Sequence, residues 1–325
     1  MSSINQTIIT DFTLKGVSDV AELQVLIFVL VLLIYLLSCV GNLTILLLVF
    51  LDVHLHTPMY FFLSNLSIID ISSSTTTLHR ILVIATTQNH MISASACMTQ
   101  LYIFCSLTSN ESLILTSMSY DRYVAICRPL HYHLVMSWRL CGLLASGSWG
   151  FGFIIMVPTV VFISRFNCYI SKEIDHYFCD VLPIRDITCS DTTLLDLNVL
   201  IVSNVSIFIS LVLIIATYIF IITSILRIRS HAGRRKAFYT CSLHIMVVVF
   251  FYSSLFLQYV VTVSGNNMGS NKIFSLFNTA IVPMLNPLIY SLKNKDIKSA
   301  LQRKLYIFSN KWKKILMAQS SIKWI

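Results

Sequence analysis

The sequence predicts an all-α membrane protein, a bundle of seven transmembrane helices with a short surface helix at its C-terminal end. Three observations carry this. Only 11% of the 325 residues are charged and 56% are hydrophobic, with a mean hydropathy of +0.78; a soluble domain carries about 25% charged and about 45–50% apolar residues. Runs free of Asp, Glu, Lys and Arg cover 23–51, 81–110, 140–164, 197–226, 237–271 and 273–292, and roughly 20 apolar residues cross a bilayer core of about 30 Å as a helix. The basic residues, finally, gather in a few of the segments between runs. This composition excludes an ordinary soluble enzyme. Disorder, which needs low hydrophobicity and high net charge, is excluded as well.

Residues 1–23 form an N-terminal segment without an apolar centre, so the first helix, 24–51, is expected to serve as its own insertion signal. The second spans 58–82, a mostly apolar stretch that contains Asp70. The third to seventh are placed at 97–127, 140–163, 195–226, 237–263 and 273–292, leaving 293–325 as a tail. Residues 294–317 of the tail alternate apolar and basic side chains (Lys304, Leu305, Ile307, Phe308, Lys311, Trp312, Ile315, Leu316). That pattern suits a helix lying on a membrane surface; a frayed tail is the alternative.

Most of the 23 Lys and Arg fall on one side of these spans. Arg122, Arg128 and Arg139 lie at or just past the end of the third helix; Arg227, Arg229, Arg234, Arg235 and Lys236 precede the sixth; the rest of the cluster is in the tail. The opposite side carries Asp11, Asp19, Glu22, Glu173, Asp175, Asp180, Asp186 and Asp191. Positive charge inside therefore predicts an extracellular N-terminus and a cytoplasmic tail. The net charge of +9 is explained by the anionic inner leaflet and does not call for nucleic acid.

Four of the nine cysteines, Cys97, Cys168, Cys179 and Cys189, fall on the outer side, where disulfides persist; four cysteines allow three pairings and spacing does not choose. Of the Asn-x-Ser/Thr sequons, only Asn5 stands outside a helix, which makes it the glycosylation candidate.

Two acids lie where lipid makes charge costly. Asp70 is about 18 Å along its helix from Pro58, and Glu111 is at comparable depth in the third helix. Two carboxylates at one depth repel unless a proton or cation lies between them; two separately hydrogen-bonded structural acids are the other reading. Farther along the third helix Arg122 adjoins Asp121, as an inner switch or as a plain ion pair. Pro287 breaks the hydrogen-bond ladder of the seventh helix, with Asn286 before it and Tyr290 one turn on; Pro158 bends the fourth.

The segments LHTPMYFFLSNLS (55–67), MSYDRYVAICRPLHY (118–132), KAFYTCSLH (236–244) and PMLNPLIYSLKNKDIKSAL (283–301) resemble signatures of vertebrate olfactory receptors. Gly41-Asn42, HYFCD (176–180) and CSD (189–191) fit the same family. The matches run in family order over nearly the whole chain, and the outer loop is more similar to the class II branch. Tyr239, Leu243, Thr217 and Ser253 depart from the usual family residues, which puts coupling strength in question. The resemblance implies a rhodopsin-like G-protein-coupled receptor that takes a small volatile ligand and activates an olfactory-type stimulatory G protein, raising cAMP. It further implies Cys97–Cys179 and Cys168–Cys189 disulfides. Its switch would comprise Asp121, Arg122, Tyr123, Tyr218, Asn286, Pro287 and Tyr290, and its mid-membrane site for a cation such as sodium Asp70 and Glu111. No other cofactor or metal is expected.

Within such a bundle Phe104, Cys105, Thr108, Ser109 and Ser112 share one face of the third helix. Ser203, Ser206, Ile207, Tyr252, Leu255, Phe256, Tyr259 and Thr279 are the expected inward positions elsewhere. Together they make an apolar wall with hydroxyls, the usual character of a ligand pocket, although helix packing alone would also place them inward. Rival functions lack their residues. The seventh helix has no lysine for a retinal Schiff base, the outer third helix no carboxylate for an amine, and the chain no internal repeat, polar filter or nucleophile–base set.

Overall fold

The computed structural model describes residues 10–18, 20–258 and 268–306. Among these, the long helices are α1 (Ala21–Leu51), α2 (Pro58–Thr87), α3 (Ala94–Cys127), α4 (Trp138–Ser164), α5 (Thr193–Leu226) and α6 (His231–Phe256). Then come α7, continuous through Met268–Leu276, Phe277–Ile281 and Val282–Lys293, and α8 over 295–306. Central in the bundle, α3 packs on α2, α4, α5 and α6, while α1 packs on α2 and α7. For brevity, the end of the bundle holding both disulfides is the lid end and the end holding α8 the tail end.

Helix starts follow local chemistry. Pro58 opens α2, where its missing N–H costs nothing. Ser93, Ser137 and Ser230 cap α3, α4 and α6 by accepting the amides of Ala96, Leu140 and Gly233, contacts worth about 1 kcal/mol each. The observed bounds differ from the expected ones where a charge or polar run was taken as a boundary. α2 continues past residue 82 to Thr87 and stops at Gln88, whose φ of 54° turns the chain out of the helix. α6 starts at His231 rather than 237, because a capped helix can carry Arg234 and Arg235 beyond the apolar layer.

By length and composition alone, α1, α4, α5, α6 and residues 272–290 of α7 can cross a membrane. α2 and α3 are long enough, at 30 and 34 residues, but their polar side chains lower their hydropathy. Those side chains, including Asp70, Ser74, Thr77, Asn110, Glu111 and Ser112, are buried against other helices. Exposed Leu26, Leu33, Leu37 and Leu47 on α1 show the complementary pattern, apolar residues facing outward.

Helices approach closely where glycine permits. A Cβ on Gly41 would meet Pro287 at 2.9 Å, and one on Gly152 would overlap Asn110 Oδ1. Gly41 therefore seats α1 against the proline of α7, and Gly152 lets α4 lie against α3.

The chain entering α1 is not plain coil. Strand β1 (Asp11–Leu14) pairs antiparallel with β2 (Met91–Ser93) and parallel with β3 (Glu173–Ile174), in the order β2-β1-β3. Alternation buries Phe12 and Leu14, and Phe12 meets Tyr169 edge-on at 5.4 Å.

Candidate ligand site and switch

At the lid end, Cys97 on α3 is bonded to Cys179, and Cys168 to Cys189. Between them the loop folds into the bundle: His176, Tyr177, Phe178 and Asp180 are fully buried. Phe178 meets Phe104 edge-on at 4.9 Å. The Thr279 hydroxyl gives its proton to the Ser275 carbonyl at 2.9 Å, so Tyr177, 2.8 Å away, is the donor to Thr279. His176 Nε2 lies 3.3 Å from Ser275 Oγ, and Lys272 pairs with Asp175 at 2.7 Å. Burial, aided by the Lys272 charge, pushes the His176 imidazole down to about 3; it is neutral at physiological pH.

Asp180 brings a carboxylate into a region where none was expected, because its place in the sequence suggested an exposed loop. It accepts Val181 N–H at 2.7 Å and Gln258 Nε2 at 3.1 Å. Gln258 in turn accepts from Asn278 Nδ2 at 3.0 Å, and Asn278 Oδ1 lies 3.0 Å from Ser254 Oγ. One polar chain thus joins the lid to α6 and α7.

The expected pocket residues divide. Phe104, Cys105, Ser109, Ser112, Ser206, Tyr252, Leu255 and Thr279 are buried, while Thr108, Ser203 and Ile207 are half-buried. Ser112 Oγ donates to the carbonyl of Ser206 at 2.8 Å, and Tyr252 Oη is 2.6 Å from Ser210 Oγ. Both α5 and α7 loosen into a π turn at this level, Asn204–Phe208 and Phe277–Ile281; such turns free backbone groups for partners and recur at functional sites. Phe256 does not belong: it is 57% exposed on the outside of α6. One position past Leu255 is a rotation of about 100°, which carries it off the inward face. Tyr259 and Asn5 lie outside the described residues, as do 307–317 of the tail.

In the middle of the bundle Asp70 accepts both of its hydrogen bonds from Asn286 Nδ2, at 3.1 Å. Glu111 interacts with both groups. Glu111 Oε1, Asn286 Oδ1 and Tyr290 Oη are buried without a hydrogen-bond partner.

Toward the tail end, Arg122 donates to Asp121 Oδ2 through Nη2 at 2.6 Å and Nε at 3.0 Å, while Tyr132 donates to Oδ1 at 2.8 Å. Tyr218 on α5 reaches His244 Nδ1 on α6 at 2.7 Å, and Tyr123 packs edge-on to Phe220 at 6.1 Å. A cavity of about 1110 Å³ opens here, lined by Arg122, Tyr132, Tyr60, Arg235, Leu243 and Asp296. Its floor is pinned by Tyr60, 3.0 Å from Asp296, and by Arg303 of α8, which donates to buried Asp52 at 2.7 Å and 3.0 Å. The Arg303 guanidinium and His54 hold the Asp52 carboxyl far below the usual carboxylate range.

The lid residues, Gln258, Asn278 and the Asp52–Arg303 pair were not singled out from the sequence; the HYFCD segment, apolar and aromatic inside a polar loop, was the one available signal for the lid.

A disulfide-pinned lid at one end of a seven-helix bundle, with an Asp–Arg pair beside an open cavity at the other, defines a transmembrane receptor. Squid rhodopsin has the same fold, with a TM-score of 0.72 over 87% of this chain and 81% of that one at 17% identity. Residues 31–308 match the olfactory receptor family. Human olfactory receptor 2AP1 is 44% identical over 294 residues (90% of this chain, 95% of the relative). Mouse olfactory receptor 8G50 is 44% identical over 304 residues (93% and 97%). The chain belongs to the olfactory receptor family: it is a multi-pass membrane receptor of the G-protein-coupled class and not an enzyme.

Proposed function

We propose that this receptor detects small, neutral, largely apolar odorants beneath the lid and activates a stimulatory, olfactory-type G protein that raises cAMP. The lid end and N-terminus face outward and α8 lies in the cytoplasm, as the basic clusters suggest. The observation that carries this reading is the Tyr177–Thr279 contact, which sets a loop side chain inside the bundle beside Phe104 and Phe178. The hydroxyls of Ser109, Ser112, Ser206 and Tyr252 lie there; Ser112 and Ser206 already donate to backbone carbonyls and so meet a ligand as acceptors. Asp180 is already engaged by Gln258 and Val181, so an odorant cation would have to displace those bonds. A cAMP reporter screen over alcohols, carbonyls, ethers, acids and amines, at matched surface density, tests it. Activation by carboxylates or amines alone would overturn the neutral-ligand reading.

Asp70 and Glu111, with Asn286, suit a sodium ion, since unpartnered Glu111 Oε1 and Asn286 Oδ1 are oxygen donors of the kind a hard cation needs. Such an ion would neutralise the two acids and favour the packing in which α3 and α7 stay apart. Glu111→Gln should change basal cAMP and its sodium dependence without altering odorant selectivity; unchanged sodium dependence would reduce Glu111 to a structural acid.

A further inference from the structure

A second polar site lies outside the bundle core, in a groove of about 440 Å³ between the lid-end halves of α2 and α3. Thr76, His79 and Arg80 line one wall, and Ala96, Thr99 and Ile103 the other. Both triplets follow helical spacing, so each wall is one helix face. His79, Ala96 and Thr99 are exposed, which opens the groove to the surroundings of the bundle.

Arg80 is the group the fold leaves unexplained. Its Nη2 donates to the Met91 carbonyl, but its Nε is buried with no hydrogen-bond partner. Among the described residues it makes no ion pair, and no acid lines the groove. A buried guanidinium donor without an acceptor is costly. The adjacent N-terminus of α3 adds partial positive charge on the same side. Depth selects the source of an acceptor. Arg80 is 22 positions past Pro58, about 33 Å along the axis, whereas the hydrocarbon layer is about 30 Å thick. The guanidinium therefore sits level with lipid headgroups, while Ile103 continues the groove toward the acyl layer.

We propose that this groove binds a phosphate group through Arg80, with His79 and Thr99 beside it, and that its source is a phospholipid of the leaflet at the lid end. Arginine is suited to this by its planar set of donors matched to phosphate oxygens. The bound lipid would also touch the ligand lid. Gln100, which lines the groove, donates to the Thr76 carbonyl at 2.7 Å and accepts from Cys179 N–H at 3.0 Å. Occupancy thus tightens a wall that holds the lid's disulfide.

The test is the thermal midpoint of the purified receptor in neutral detergent, titrated with dihexanoyl phosphatidylglycerol, with dihexanoylglycerol and with inorganic phosphate. Phosphatidylglycerol should raise the midpoint and dihexanoylglycerol should not. Arg80→Gln should weaken the phosphatidylglycerol response about tenfold, the size of one lost charged hydrogen bond. Ala96→Trp, which fills the groove and keeps the charge, should weaken it likewise. If inorganic phosphate matches the lipid, the phosphate site stands and its source is soluble. Equal response to phosphatidylglycerol and dihexanoylglycerol with none to phosphate overturns the site even if no variant folds. A wild-type response from Arg80→Gln also overturns it.

Discussion

Tyr177 donates its hydroxyl to Thr279 across 2.8 Å, tying the lid to the π turn of α7. Tyr177→Phe removes that bond while leaving Thr279 its contact with the Ser275 carbonyl. One neutral hydrogen bond is worth about 1 kcal/mol, so odorant EC50 should rise about fivefold at unchanged surface density. Cyclic-AMP dose–response curves check it, and an unchanged EC50 would detach the lid bond from ligand binding.

The lid should loosen in acid. His176 has its pKa lowered from 6.5 to about 3 in the folded lid, so the opened loop binds more protons than the closed one between those values. Stability of the closed lid is fully present above pH 6.5 and declines as pH falls toward 3, with the opening equilibrium growing by up to about tenfold per pH unit. Hydrogen exchange of residues 170–180 between pH 7 and 5, corrected for intrinsic rates, should show this in wild type. His176→Gln should remove the slope; a slope that persists would assign it elsewhere.

The two disulfides should differ in weight. Cys97–Cys179 closes a sequence separation of 82 and Cys168–Cys189 one of 21. Chain-entropy arguments give about 4.5 and about 3 kcal/mol. Cys97→Ser or Cys179→Ser should abolish surface expression, and Cys168→Ser should reduce it less. Surface staining of tagged receptors measures both, and normal levels in the Cys97 and Cys179 variants would contradict the argument.

Arg122 is held by Asp121, and Asp121 is shared with Tyr132. A ligand moves a two-state switch only through its differential affinity for the two packings. Arg122→Ala should therefore reach the surface and keep odorant binding, yet give little or no evoked cAMP. Tyr132→Phe frees one Asp121 oxygen and should raise basal cAMP. Arg122→Lys separates planar recognition from simple positive charge; full signalling from it at equal surface density would make Arg122 a headgroup anchor.

At the tail end the pH response should have the same sign as the lid's but begin at a much lower pH. Asp52 has a depressed carboxyl, so its pairing with Arg303 contributes fully above the unfolded value of 3.8 and is lost only as pH falls below it. Exchange protection of 295–306 should be flat from pH 8 to 5. Asp52→Asn should lower it at every pH in that range, and protection equal to wild type would mean α8 is held by the Tyr60–Asp296 bond and buried Ile297 and Ala300 without the Arg303 pair.

Long uncharged runs made most helices legible, and mostly apolar stretches placed α2 and α3 in spite of Asp70 and Glu111. What could not be read was anything built across distant segments. Asp180, Gln258 and Asn278 form one chain but are separated by 78 and 20 positions and follow no period. Phe256, expected inward with Tyr252 and Leu255, is turned out in the fold, where Ser254 and Gln258 take the inward places. β1 has four residues, too few for alternation to declare a strand, and its partners come from two loops.

That strand has a mechanical consequence. Being paired on both edges, β1 splices the start of the chain to the α2–α3 turn and, through Glu173 and Ile174, to the stretch just before His176. A pull on the chain at Asp11 reaches the loop that carries His176 through the β1–β3 pairing and the start of α3 through the β1–β2 pairing. A load placed on β1, such as an epitope tag or a neighbouring molecule held there, is thereby shared with the loop that carries His176 and Tyr177.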